Sequence, residues 1–192
     1  MLVFDASSRF PERIRIAMTQ TGAEIRTTKD GRHYIIRPIE LADRVHLREG
    51  IRKLSPESRY RRFHSARQHL SERELDFLTC CDGMNHIALV AASVDSEGQE
   101  TEGIAVARFY RDGHHPSTGE VAIVVEDWWQ GVGVGSAMLQ ELCRRCVEVQ
   151  TTHWKASLDA DNVPAIRALG KIGPNEGTKP SENRITLTIS LA

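Results

Sequence analysis

The chain has 192 residues, of which 40% are hydrophobic and 27% charged, with a formal net charge of -1. That length fits one domain, or one domain with an arm, and buries a core without disulfide staples. The near-zero charge argues against a strong sequence-independent nucleic-acid binder.

No apolar run approaches the ~20 residues of a membrane span. The stretch MLVFDASSRFPERIRIAMTQ carries charges where a signal peptide needs an apolar block. A cytoplasmic protein with no membrane or nucleic-acid partner is expected. Its four cysteines are too few for a disulfide scaffold at this length. Cys143 and Cys146 form C-x-x-C inside a helical pattern, and Cys80 and Cys81 are adjacent. Zinc sites usually put two spaced pairs on turns, so helix packing is expected here and no metal.

In chain order, Ser8-Arg9-Phe10-Pro11 is a candidate helix start, and residues 1–31 read as an arm or an extra hairpin or helix, with the main domain over 32–192. Asp30-Gly31 predicts a turn before a strand at His33-Tyr34-Ile35-Ile36-Arg37, which Pro38 ends. Residues 40–53 predict a helix, with Leu41, Val45, Leu47 and Ile51 as its apolar stripe. The stretch 54–63 is basic and aromatic. Ser71-Glu72-Arg73-Glu74 is a capping box and predicts a second helix start. Three strands follow, at 87–92, 103–110 and 120–125, joined by turns at Asp95-Ser96-Glu97-Gly98 and Asp112-Gly113. Short turns between consecutive strands suggest an antiparallel meander.

The order then changes. Residues 133–149 predict a helix with Val134, Met138, Leu142 and Cys146 on one face. A strand at 154–158, a helix at 161–172 and one last strand at 184–191 complete the chain; Ile185, Leu187, Ile189 and Leu191 alternate along that strand.

Chemistry concentrates at Trp128-Trp129-Gln130-Gly131-Val132-Gly133-Val134-Gly135-Ser136. A strand precedes these glycines and a helix follows. A helix N-terminus presents unpaired N–H groups and a partial positive charge, and glycines let a phosphate approach them. A tight strand-to-helix turn without a ligand would use the same residues. A nucleoside-triphosphate P-loop is excluded, because no Gly-Lys-Ser/Thr closes the run. A dinucleotide site has Gly131 and Gly133 in its favour, with Asp159 and Asp161 after the next strand. That fold needs more parallel strands than the pattern allows.

Gln130-x-x-Gly133-x-Gly135 resembles the Q/R-x-x-G-x-G/A pyrophosphate loop of the GNAT superfamily of acyl-CoA-dependent N-acyltransferases. The order of elements over residues 32–191 is similar to theirs. Leu54-Ser55-Pro56-Glu57-Ser58-Arg59-Tyr60-Arg61-Arg62-Phe63 resembles the L-S-x-x-S-x-Y-x-R-F stretch of bacterial protein lysine acetyltransferases. Gly119-Glu120-Val121-Ala122 and Asp127-Trp128-Trp129-Gln130-Gly131 resemble their A-E-x-A strand and D-x-W/Y-Q-G turn.

The resemblance implies an α/β fold with a central mixed, mostly antiparallel sheet of six to seven strands and about four helices. It implies acetyl-CoA as co-substrate and an amine acceptor, with a protein lysine as the favoured one, in a monomer or homodimer. By the same likeness, Ile123, Val124 and Val125 offer backbone to the pantetheine arm. Gln130, Gly131, Val132, Gly133, Val134, Gly135 and Ser136 hold the pyrophosphate, and Asn162 belongs to the following helix start. Glu120 takes the place of the general base, which a lysine ammonium needs at neutral pH. Many relatives carry a Tyr near the coenzyme sulfur where this chain has Leu169, and Tyr60 and Tyr110 are other hydroxyls. Arg59, Arg61 and Arg62 could receive an acidic acceptor or the coenzyme's 3′-phosphate, although such a cluster is more often a solvated face, and Trp128 and Trp129 read as turn packing. Two other functions fit the same sequence: acetylation of a small-molecule amine, and a catalytically silent acyl-CoA-binding module.

Overall fold

The computed structural model describes residues 23–63 and 68–191. The helix start expected at Ser8–Pro11 lies outside them. Among the described residues, eight strands form one sheet: β1 (Arg26–Thr27), β2 (His33–Pro38), β3 (His86–Val94), β4 (Glu100–Arg111), β5 (Thr118–Val125), β6 (His153–Asp159), β7 (Asn175–Ser181) and β8 (Arg184–Ser190). Five α-helices accompany them: α1 (Arg44–Lys53), α2 (Pro56–Phe63), α3 (Glu72–Thr79), α4 (Val134–Glu148) and α5 (Val163–Leu169).

The sheet order is β1-β2-β3-β4-β5-β6-β8-β7. Every pair is antiparallel except β5 and β6. The expected antiparallel meander is β3-β4-β5. The parallel step follows from the α4 crossover, because a parallel partner needs a long connection. This is the mixed α/β fold expected, with eight strands in place of six or seven and five helices in place of four. The uncounted strands are the short β1, paired through Arg26 and Thr27, and β7.

The core lies largely between the sheet and α4. Val134, Met138, Leu142 and Cys146 are all fully buried, on the predicted stripe. They meet Leu89, Phe109 and Trp154 from the strands. On β8, Leu187 and Ile189 face inward as alternation required, and Leu191 just beyond it is buried too. Helices α1 to α3 cover the other face. There the stripe is narrower than expected: Ile51 is buried, but Leu41 and Val45 are exposed. Leu41 sits in a 3-10 turn ahead of α1, so its side chain leaves the helical register. The Ser71 box forms, with Ser71 Oγ accepting from Glu74 N–H and the Glu74 carboxylate accepting from Ser71 N–H.

Candidate active site

The parallel pair β5/β6 is joined only at Thr118, Glu120 and the residue between them, facing His153 to Lys155. Beyond Glu120 the strands splay. Val121 to Ile123 on one side and Ala156 to Leu158 on the other line a cleft of about 260 Å³. Leu139, Ala165 and Leu169 close it from α4 and α5. Glu120 stands where pairing ends. It is exposed, and it lies directly opposite Tyr110 across β4/β5, on the same face.

At the far end of β5 a 3-10 turn, Asp127–Trp129, leads into the glycine run. Gly131 and Gly133 have φ of 75° and 111°. A Cβ at either would meet no atom within 4 Å, so backbone conformation, not space, demands glycine there. Gly133 is the N-cap of α4 and supplies no side-chain cap. The first bond of the helix runs from Ala137 N–H to Gly133 O. Among the described residues, no acceptor pairs with the N–H groups from Gly131 to Ser136. Six bare donors at the start of a 15-residue helix form an anion cradle. A pyrophosphate fits this arrangement.

Two struts hold the cradle, and neither was evident in the sequence. The Asp127 carboxylate accepts from Ser55 N–H (2.9 Å), Ser55 Oγ (2.9 Å) and Ser58 Oγ (2.8 Å). The two serines of the L-S-x-x-S stretch thus fasten the start of α2 to the turn before the glycines. Gln130 donates its side-chain amide to Val125 O (3.0 Å) and Ser58 Oγ (3.3 Å), so that group braces the loop. The second strut is the β1–β2 turn. Lys29 N–H donates to Val132 O (3.1 Å). Arg32 donates to Trp128 O (2.9 Å) and lies 4.0 Å over the Trp129 ring. Trp129 packs at the turn as expected. Trp128 does not: it is 85% exposed, because the 3-10 turn points it outward.

The remaining sequence candidates are placed as follows. Ile123 lines the cleft between β5 and β6; Val124 lines a second cavity on the α1–α3 face. Val125 pairs with Ala105 and offers its carbonyl to Gln130. Asn162 lines the cleft and caps α5, its Oδ1 accepting from Ala165 N–H (3.2 Å). Leu169 is buried in the cleft wall, with no hydroxyl to offer. Tyr60 is exposed, and Tyr110 stacks on His86 with ring centroids 4.4 Å apart. The arginine cluster is not uniformly solvated. Arg61 pairs with Glu57 (2.9 Å) and Asp161 (3.4 Å), whereas Arg62 turns inward and lines both cavities. Burial, reinforced by the like charge of Arg108, holds Arg62 below its ordinary pKa. With Lys155 and Arg184 the cleft gathers four cationic side chains around the single carboxylate of Glu120. That field suits a phosphorylated ligand.

Residues 50–173 match the Acetyltransferase (GNAT) family. The chain belongs to that family. It is 30% identical over 162 residues to acetyltransferase Pat of Mycolicibacterium smegmatis, covering 84% of this chain and 46% of Pat. It is 31% identical over 118 residues to acetyltransferase PA5475 of Pseudomonas aeruginosa, covering 62% of each. The chain therefore spans about half to three-fifths of the length of these relatives. Among solved structures, the GNAT domain of S. lividans PAT superposes with a TM-score of 0.75 at 26% identity, covering 88% of this chain and 97% of that domain. A Salmonella typhimurium acetyltransferase solved with acetyl-CoA shares the GNAT fold, with a TM-score of 0.61 at 17% identity, covering 82% of this chain and 92% of that one.

Proposed function

We propose that this chain moves an acetyl group from acetyl-CoA to a primary amine, with a protein lysine as acceptor. The observation that carries the proposal is the run of six unpaired N–H groups at the head of α4. In this reading Gly131, Val132, Gly133, Val134, Gly135 and Ser136 bind the pyrophosphate through the backbone. Gln130 braces that loop, and the cleft between β5 and β6 takes the pantetheine arm along Ile123, with the backbone of Val124 and Val125 continuing its path. Asn162 fixes the start of α5 at the cleft wall. Residues 32–192 form the transferase domain, with 1–31 as an arm whose last residues prop the loop.

Glu120 is the base. At the mouth of the splay it removes a proton from the incoming ammonium, and the freed amine attacks the thioester carbonyl. The leaving thiolate takes its proton from water, since Leu169 supplies none. A carboxylate with no hydrogen-bond or ion-pair partner among the described residues is available for this work, and it is exposed to water. A small-molecule acceptor on the same frame differs only in what fills the acceptor side. A silent acyl-CoA-binding module would need no base at all.

Glu120→Gln tests the assignment. The side chain is exposed, so folding is not at stake. Turnover is expected to fall about 10²- to 10⁴-fold while acetyl-CoA affinity stays within threefold. Full activity in the variant would rule out Glu120 as base. Acetyl-CoA binding with no acceptor acetylated by the wild-type chain would favour the silent module.

A further inference from the structure

A second cavity, of about 70 Å³, lies under α1 and α3 against β3, β4 and β5. It has room for about five water-sized groups. Its walls are mainly apolar, among them Leu47, Ile51, Leu78 and Val90. Two guanidinium-bearing side chains, Arg62 and Arg108, interrupt them.

Arg108 is the unusual one. It sits on a central strand and is only 2% exposed. Its Nη1 donates to Leu78 O (2.6 Å) and lies 3.3 Å from His86 Nε2. Its Nη2 is buried with no hydrogen-bond partner among the described residues. His86 offers no negative charge: burial, then the Arg108 charge, push it down to about 4, so it is a neutral acceptor near pH 7. The acidic groups acting on Arg108 are Tyr110 and Cys81, and burial pushes the Cys81 thiol up, away from its charged form. Arg62 adds a second positive charge facing the first. The two carboxylates in the cavity wall, Asp43 and Glu126, lie toward its other end. Asp43 is held by two Arg37 nitrogens, at 2.8 and 2.9 Å. Glu126 follows the last residue of β5, four residues along the strand from Ala122, the partner of Arg108, or about 13 Å.

A buried cation without a counter-ion is strongly unfavourable, and Val106 on the same strand face shows what packing alone would select. Position suggests what compensates. Arg108 pairs with Ala122, two residues from the Tyr110–Glu120 pair and on the same face, about 7 Å along the strand. Arg62 lines both this cavity and the cleft. We propose that Arg108, with Arg62, forms a subsite for a carboxylate carried by one substrate of the acyl transfer. The inference rests on the acyltransferase reading above. The carboxylate belongs either to the acyl group, as in a dicarboxylic thioester, or to the amine acceptor. A short carbon chain separates it from the reacting atoms.

The test has two arms, both run first on the wild-type chain. In one, calorimetry compares succinyl-CoA with butyryl-CoA, a chain of equal carbon number lacking the carboxylate, with acetyl-CoA as reference. In the other, thiol release from acetyl-CoA compares free amino acids with their carboxamides. The expected result is a preference of tenfold or more for the carboxylate in one arm, reduced to threefold or less by Arg108→Gln. The arm that responds identifies the source. The wild-type preference decides the matter even if the variant fails to fold. Wild-type preferences below twofold in both arms would overturn the subsite and leave Arg108 as a buried donor to Leu78. Acetyl-CoA binding in that case keeps the acyltransferase reading. Failure to bind any acyl-CoA removes both.

Discussion

Asp127 is the joint between the start of α2 and the glycine loop, and its removal has a calculable effect. The carboxylate accepts three hydrogen bonds, two from Ser55 and one from Ser58, at 2.8–2.9 Å. Hydrogen bonds to a charged group contribute about 1.5–3 kcal/mol each. The site is only half-buried, so water replaces part of what is lost. Discounting for that gives about 1 kcal/mol each, or about 3 kcal/mol for Asp127→Ala. For a chain of this size that is a fall in Tm of about 6–12 °C. Asp127→Asn keeps one acceptor oxygen and is expected to lose about half as much.

Burial raises the Asp127 pKa, but the hydrogen bonds from Ser55 N–H, Ser58 and the Ser55 hydroxyl outweigh it, so the folded value lies below the ordinary one. The sign follows from that direction. The carboxylate's contribution is complete above the unfolded pKa of about 3.9 and is lost as pH falls through the lower folded value. The gap in urea stability between wild type and Asp127→Asn should therefore be constant at neutral pH and shrink below about pH 4. Acetyl-CoA affinity should fall in both variants, because the turn carrying Gln130 loses its anchor. A loss below 0.5 kcal/mol in Asp127→Ala, with unchanged affinity, would refute the joint.

Gly135→Ala separates binding from folding. A Cβ there would meet Val125 at 3.5 Å, an ordinary contact, and the backbone is not left-handed. Stability should hold or rise by up to about 1 kcal/mol in urea melts, while acetyl-CoA binding weakens tenfold or more because the methyl fills the space between the head of α4 and Ile123 and Val125, the residues assigned to the pantetheine arm. An unchanged dissociation constant would mean that no ligand comes close to α4. Arg32→Ala removes the stack on Trp129 and the bond to Trp128 O. Its acetyl-CoA dissociation constant should rise about threefold to tenfold with little change in kcat at saturation, as expected for a positioning residue outside the chemistry. A fall in kcat alone would contradict that role.

Strong local patterns were the readable part of the fold. The α4 stripe, the Ser71 capping box and the alternation in β8 each follow from one segment's own sequence, and each forms as expected. β7 did not announce itself because Asn175–Ser181 is mostly exposed, contains Pro180, and is held mainly by its ladder to β8. An edge strand has no buried face to leave a period in the sequence. The helix expected over 161–172 shrinks to Val163–Leu169, since Asn162 takes the cap and a turn follows Leu169. In the site, the glycine run was legible because the left-handed backbone at Gly131 and Gly133 restricts residue choice. The Asp127–Ser55–Ser58 joint, the Arg32 stack and the burial of Arg108 were not. Each depends on contacts between segments far apart in the chain, and an arginine in a strand reads as solvent-facing until its neighbours are known.

The central claim is that the bare N–H groups from Gly131 to Ser136 receive the pyrophosphate of acetyl-CoA. The most direct measurement is a calorimetric titration of the chain with acetyl-CoA, with NADH as the control diphosphate. Micromolar binding of acetyl-CoA and none of NADH is the predicted result. Binding of NADH in place of acetyl-CoA, or of neither, would contradict it.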